Sequence, residues 1–398
     1  MKSVVELKVK ANAIRNYQNG CPLITKDTIK NVEVLKEEGN IVHLTDDSNQ
    51  FIAKGYYGKQ NKGIGWILTR NKNTKIDYSF FKNKILIAIN KRQSYYDDLQ
   101  TNAFRIFNGE GDGVGGFTID YYDGYYVINW YSEGIYAYKE QVIRVLDELG
   151  DYKAIYEKKR FDTKGQYLDD DDFVKGERGE FPIIVTENGI RYAAYLNDGA
   201  MTGIFLDQHD VRKAIRDRYA KGKHVLNTFS YTGAFSVAAA LGGAEKTTSV
   251  DLAKRSKSKT IEQFSVNGID YEAQDIRVMD VFDYFKYAKR KNLKFDLIIL
   301  DPPSFARSKK HTFSTAKDYP ALLKDTIEIT DKNGVIVAST NNATFGMKKF
   351  KGFVEKAFKE MKVGYSILEE FRLPGDFMVH KDFPQGNYLK VLVIQKKN

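Results

Sequence analysis

The sequence predicts an α/β protein whose largest part is a Rossmann-like, doubly wound parallel sheet, preceded by a small β-barrel and a small α+β domain. Three observations predict it. The first 75 residues break into short β-like runs separated by Gly and Asn turns. From about residue 186 short apolar runs alternate with helical periods, the rhythm of βαβ units. Within that second half lies KFDLIILDPPSF, residues 294–305, in which four apolar residues run into Asp301, Pro302 and Pro303. A short apolar run closed by turn residues reads as a buried parallel strand. Neither proline has an amide hydrogen, so the ladder cannot pass them. Asp301 is thereby held at the carboxyl end of a core strand, where open α/β sheets bind ligands.

Size and composition narrow the classes. A chain of 398 residues exceeds one ordinary core. Charged residues make up 29%, and no apolar run reaches bilayer length, so no membrane span is expected. The start, MKSVVELKVK, lacks the apolar segment of a signal peptide. The single cysteine, Cys21, excludes an internal disulfide framework and suits a reducing cytoplasm. Five scattered histidines lack ligand spacing, so no metal is expected. The net charge of +10 favours a polyanionic partner such as nucleic acid. Tyr95, Tyr96, Tyr121 and Tyr122 could stack on bases, although strand packing is the commoner use of such residues.

Taken in order, residues 1–75 hold VVELKVK, IKNVEVLKEE, GNIVHLTDD, QFIAKGYYG and GIGWILTR, with Lys8, Lys10, Lys54 and Lys59 on the exposed alternation. A helical stretch near 77–101 opens a second domain, 76–185. Its glycines at 109, 111, 113, 115 and 116 precede strands rather than a helix, which makes them a turn and not a phosphate loop. Two strands around Asp123-Gly124, a helix at 137–149 and a strand at 153–157 follow, and the acidic run 169–172 reads as an exposed hairpin or linker. The third domain, 186–398, begins with a strand pair and a helix after residue 208. A strand then runs to Phe229, followed by an Ala-rich helix ended by Gly242 and Gly243. Later strands are expected at KTTSVD, before Asp280, at 295–300, at 334–339, near 363–371 and at 387–395, with helices at 256–266 and 348–362.

Four features fall at successive strand ends. The first is the turn from Asn227 to Gly233, containing Phe229 and Ser230, where Gly233 permits close backbone approach. It lacks the three glycines with which a dinucleotide fold cradles a pyrophosphate. Asp251 follows 18 residues after Gly233 and can hold both hydroxyls of a ribose. Asp280 can accept from an adenine amino group while Val281 packs its ring. Asp301 is the fourth.

These features resemble the class I S-adenosylmethionine (SAM)-dependent methyltransferases. TGIFLDQHDVR, VLNTFSYTGAFSVAAALGG and DPPSFARSKK are similar to the RNA methyltransferases of the RlmI and RlmK groups. FIAKGYYG followed by GWILTR resembles a PUA domain, a small RNA-binding barrel, although Cys21-Pro22-Leu23-Ile24-Thr25 stands where that family has a segment like His-Pro-Trp. The resemblance implies SAM as cofactor, held by Gln208, Asn227, Phe229, Ser230, Gly233, Asp251, Asp280, Val281 and Asp301. It implies 23S ribosomal RNA as partner, and it leaves a homodimer open.

The RlmI group methylates cytosine C5, which needs a cysteine thiolate to add to C6. The family's cysteine sits after the fifth strand, where this chain has Ala338-Ser339-Thr340-Asn341-Asn342. That segment resembles the Ser-Asn-Asn of the RlmK group, which methylates guanine N7, an atom whose in-plane lone pair attacks directly. On this reading Asp301 and Asn341 position the base, Phe305 stacks on it, and Lys309 and Lys310 meet phosphates. A solvated surface serves equally for those lysines and for the basic patch 254–259. The alternatives are C5 methylation, methylation of an exocyclic nitrogen, and a SAM- and RNA-binding module without catalysis.

Overall fold

The computed structural model describes residues 3–60, 63–161, 172–307 and 312–397. They form two compact units. No described helix is long and apolar enough to cross a membrane.

The first unit comprises Met1–Val185, Tyr195–Thr202 and Gly375–Gly386. It holds two five-stranded sheets. One has the order Val4–Lys8, Ile41–Thr45, Phe51–Tyr57, Gly65–Thr69, Leu23–Ile24, closed by the helix Ala11–Gln18. The other runs Phe173–Gly176, Ala154–Lys159, Tyr125–Trp130, Phe117–Tyr122, Ala103–Asn108 and carries the helices Tyr78–Asn90 and Lys139–Leu149. Both sheets, on either side of the expected boundary near residue 75, fall within this one unit. They share a core, because Tyr56, Trp66 and Leu68 pack with Phe104, Phe117 and Ile128. The glycine cluster forms the turn Gly109–Asp112 and the loop after it. Tyr95, Tyr96 and Tyr121 pack on Phe104 with ring centroids 4.9–5.5 Å away, so strand packing absorbs them. Of the expected acidic hairpin, 169–171 lie outside the described residues, and Asp172 is buried against Lys158 at 2.8 Å.

A buried guanidinium ties the late segment 375–386 into this unit. Arg92, fully buried, makes two parallel bonds to Asp112 at 3.0 and 2.7 Å. It also donates to the Asp376 carbonyl at 2.6 Å. The Asp376 carboxylate accepts from the Arg105 amide at 2.9 Å. A Cβ on Gly111 would lie 1.8 Å from the Met378 carbonyl oxygen, so only glycine admits that strand of chain.

The second unit comprises Thr186–Ala194, Gly203–Pro374 and Asn387–Asn398. Numbered within its seven-stranded sheet, the strands are β1 (His224–Thr228), β2 (Lys246–Asp251), β3 (Asp275–Val278), β4 (Phe295–Leu300), β5 (Thr330–Thr340), β6 (Tyr365–Phe371) and β7 (Lys390–Lys396). Their order is 3-2-1-4-5-7-6. The first five are parallel, and β7 lies antiparallel between β5 and β6. The helices α1 (Ala234–Leu241), α2 (Lys254–Ser265), α3 (Val281–Arg290), α4 (Thr315–Ile329) and α5 (Met347–Met361) complete the winding. The β4 side chains alternate between two cores: Ile298 and Leu300 face one, Leu297 and Ile299 the other. Burial on both faces explains the unbroken apolar run. The order reverses between β1 and β4, and the carboxyl ends beside that switch point form the natural ligand crevice.

Replacing Arg92 with Ala leaves Asp112 buried and unpaired. The expected loss is about 3–5 kcal/mol, read as a lowered urea midpoint of the first unit.

Candidate active site

At the carboxyl ends of β1, β2 and β4, and beside the start of α3, lies a cavity of about 370 Å³, within the usual size of small-molecule sites. Its wall includes Gln208, Phe229, Ser230, Asp251, Asp280, Val281, Asp301 and Asn341. Eight of the eleven residues expected from the sequence therefore meet in one place.

The β1–α1 turn is wound tightly. Phe229 and Tyr231 have φ of +55° and +51°, and Gly233 has +81°. Left-handed backbone at bulky residues is uncommon and is held only by its surroundings. Here the Ser230 amide donates to the Val250 carbonyl at 3.1 Å, the Tyr231 amide to Asp251 Oδ2 at 2.9 Å, and Thr232 Oγ1 to the Gly203 carbonyl at 2.7 Å. Asp251 Oδ1 also accepts from the Ala253 amide at 2.8 Å. Each Asp251 oxygen keeps a further lone pair for a hydroxyl. Asp280 caps α3 by accepting from the Phe282 amide at 2.9 Å. This sets Val281 and Phe282 in the wall as an apolar face.

Asp301 follows β4 directly. Gln208, from the turn Leu206–Gln208, donates to its two oxygens at 3.4 and 3.3 Å and to Ser339 Oγ at 3.1 Å. Burial pushes the Asp301 carboxyl up to about 6, with nearby Asp207 adding to the shift. Arg212 lines the same wall, and its guanidinium is neutralised by Glu187 through bonds of 2.7 and 2.6 Å. Tyr388 donates to Asp207 at 2.9 Å.

Three expected residues lie elsewhere. Asn227 is fully buried behind the wall, where it donates to Ser236 Oγ at 3.0 Å. The close approach that Gly233 allows is to α2, since a Cβ would stand 2.6 Å from Thr260 Cγ2. Phe305 is 62% exposed and outside the wall. Lys309 and Lys310 lie outside the described residues. The lysines of the basic patch 254–259 sit on the first turns of α2. Sequence reasoning missed Asp207, Phe205, Tyr231 and Phe313, which line the cavity. Asp207 adjoins Gln208 and was within reach of the motif that contained it. Phe313 returns on the strand Thr312–Ser314, paired with Phe305–Arg307, a contact that no local pattern encodes.

Four carboxylates on the wall, Asp207, Asp251, Asp280 and Asp301, repel a pyrophosphate and suit a ligand that carries positive charge. The buried Oε1 of Gln208 has no hydrogen-bond partner among the described residues, which leaves an acceptor for such a ligand. These residues fit SAM, whose ribose, adenine, ammonium and sulfonium match those groups in kind. Residues 105–382 match the S-adenosylmethionine-dependent methyltransferase family.

The chain belongs to that family. Residues 7–70 match the PUA-like domain family. The chain is 66% identical over 390 residues to the Bacillus subtilis (strain 168) protein named "Putative ribosomal RNA large subunit methyltransferase YwbD", covering 98% of each. It is 28% identical over 373 residues to ribosomal RNA large subunit methyltransferase I of Klebsiella pneumoniae (MGH 78578), covering 93% of this chain and 92% of the other. The crystal structure of SMU.776 complexed with SAH superposes with a TM-score of 0.90 at 38% identity, over 99% of this chain and 100% of that one. SAM is the cofactor of this methyltransferase.

Two outcomes are expected. Asp251→Ala weakens SAM binding by tenfold or more in calorimetry, because the hydroxyl acceptors are lost. Asp301→Asn raises stability at pH 8. The folded pKa of about 6 lies above the ordinary 3.8, so the fold disfavours the ionised form. That cost is complete above pH 6 and fades as pH falls from 6 towards 4. The gain is about 1–3 kcal/mol at pH 8 and shrinks over the same range, as melting midpoints will show.

Proposed function

We propose that this enzyme methylates large-subunit ribosomal RNA at guanine N7, by direct attack on the methyl group and without a covalent enzyme intermediate. The RNA assignment rests on the names of the relatives, on the PUA-like match and on the net charge of +10. A ribosomal substrate also argues for the cytoplasm.

One observation carries the choice of atom. The chain's only cysteine, Cys21, belongs to the first unit and donates to the Leu23 carbonyl at 3.7 Å, and no cysteine lines the cavity. Methylation at cytosine C5 needs a thiolate at the reacting base. Where a thiol would be required, β5 ends on Ser339 and Thr340 and is followed by Asn341. The relatives named methyltransferase I favour the C5 reading, and the missing nucleophile argues against it.

Bound SAM supplies an electrophilic methyl group on a sulfonium. In the proposed step the N7–carbon bond forms as the carbon–sulfur bond breaks. The electron pair leaves on sulfur, and no proton moves. The protein's work is then placement and exclusion of water. The Asp301 carboxylate accepts from the base and stabilises the positive charge that develops on its ring. Asn341 holds the opposite edge. Pro302 and Pro303 close the wall between them without offering amide hydrogens.

Nucleoside mass spectrometry of ribosomal RNA from cells with and without the gene tests the assignment. Loss of 7-methylguanosine is expected; loss of 5-methylcytidine overturns it. Cys21→Ala is expected to retain full activity. Asp301→Ala is expected to lose about 100-fold or more in turnover while keeping its circular dichroism spectrum.

A further inference from the structure

Ser304 stands one place beyond the Asp301-Pro302-Pro303 corner. Its backbone is fixed from α4: the Thr315 amide donates to the Ser304 carbonyl and Thr315 Oγ1 to the Pro303 carbonyl, both at 3.1 Å. Thr315 itself is fully buried. The Ser304 hydroxyl donates to Oδ1 of Asn341 at 2.6 Å. That bond turns the oxygen end of the Asn341 carboxamide towards Ser304. With Oδ1 engaged by Ser304, the amino group of Asn341, which can only donate, is the end left for a base at the cavity that Asn341 lines.

The backbone beneath Asn341 is equally constrained. Asn342 Oδ1 accepts from the Thr344 amide at 2.9 Å and from Thr344 Oγ1 at 2.6 Å, a tight turn at the end of β5. Tyr319, fully buried, donates to the Ser339 carbonyl at 2.8 Å.

We propose that Ser304 is a positioning residue that makes the acceptor site select a purine with a carbonyl at position 6. The proposal rests on the guanine-N7 reading. Guanine presents N7 and O6 side by side, both acceptors, whereas adenine presents an acceptor beside a donor. With N7 turned to the methyl group, the adjacent O6 meets the donor face of Asn341. Adenine would set its own amino group against that face. If the carboxamide turned over, the preference would reverse, and Ser304 holds it in place. This also accounts for a serine immediately after the Pro-Pro corner: a phenylalanine there could stack on a base but could not donate to Asn341.

The test uses the full-length enzyme and two transcripts of one large-subunit RNA fragment, one with guanosine and one with 6-thioguanosine, whose sulfur is a weak acceptor. The wild type is expected to show a kcat/KM at least tenfold lower on the thio transcript. In Ser304→Ala that ratio falls to threefold or less, through loss on the guanosine transcript. Ser304→Thr, which keeps the hydroxyl, restores it. SAM affinity by calorimetry is unchanged in both variants. An unaltered ratio in Ser304→Ala, or a wild type indifferent to the sulfur, overturns the proposal while leaving the N7 reading intact if the product is 7-methylguanosine. A different methylated nucleoside overturns both.

Discussion

The second unit depends on the abrupt end of β4. Hydrogen bonding on both sides carries the strand to Leu300, paired with Thr228 on β1 and Ala338 on β5. The next residue is Asp301, and the two after it cannot donate to a ladder. The chain must turn there, at the switch point of the sheet. Tyr319 reinforces the corner from α4, its hydroxyl reaching the carbonyls of both Leu300 and Ser339 at 3.4 and 2.8 Å. One buried hydroxyl thus registers the ends of the two strands that deliver Asp301 and Asn341. The placement of these groups is set by core packing, which is far stiffer than a loop.

Holding a carboxylate at that corner has an electrostatic cost, visible in its raised pKa. The surrounding groups limit it without removing it. Gln208 donates to Asp301, but its bonds at 3.3–3.4 Å are long. Arg212, the nearby cation, is already neutralised by Glu187. The wall therefore keeps an excess of negative charge, which a cationic cofactor relieves. Binding and ionisation are coupled: a sulfonium in the cavity favours the charged form of Asp301, and the charged form favours the sulfonium. The strained β1–α1 turn borders the same site: Phe229 and Tyr231 are left-handed, and the Tyr231 amide donates to Asp251 at 2.9 Å.

Much of this was legible in the sequence, for a specific reason. Strand ends in a parallel sheet are marked in the sequence: the apolar run that stops at Asp301, and the short strands KTTSV and IRVM that stop at Asp251 and Asp280. Because all parallel strands point the same way, residues at their carboxyl ends converge whatever the helices between them do. Asn227 fails this logic. It lies within β1 rather than beyond it, so its side chain enters the core and meets Ser236. Gly233 was legible as a constraint, but the neighbour it admits is a helix. Phe313, and the bond from Ser304 to Asn341, join segments whose meeting depends on tertiary closure. The return of residues 375–386 to the first unit was invisible for the same reason, since its anchor, Arg92, lies 284 residues from Asp376.

The reaction proposed here asks little of the enzyme beyond placement, and the architecture matches that demand. A mechanism through a covalent adduct would need a nucleophile, a base to take the C5 proton, and room for both to move. The corner around Asp301 instead offers one carboxylate, one oriented carboxamide and a rigid proline wall. On the proposed reading those parts hold a flat heterocycle edge-on against a methyl group, with an anion near the positive charge that develops. A site with no mobile proton gains nothing from a titrating residue poised at neutral pH. On the proposed reading it gains from a carboxylate that stays ionised once a cation lies beside it, the part this reading gives to Asp301.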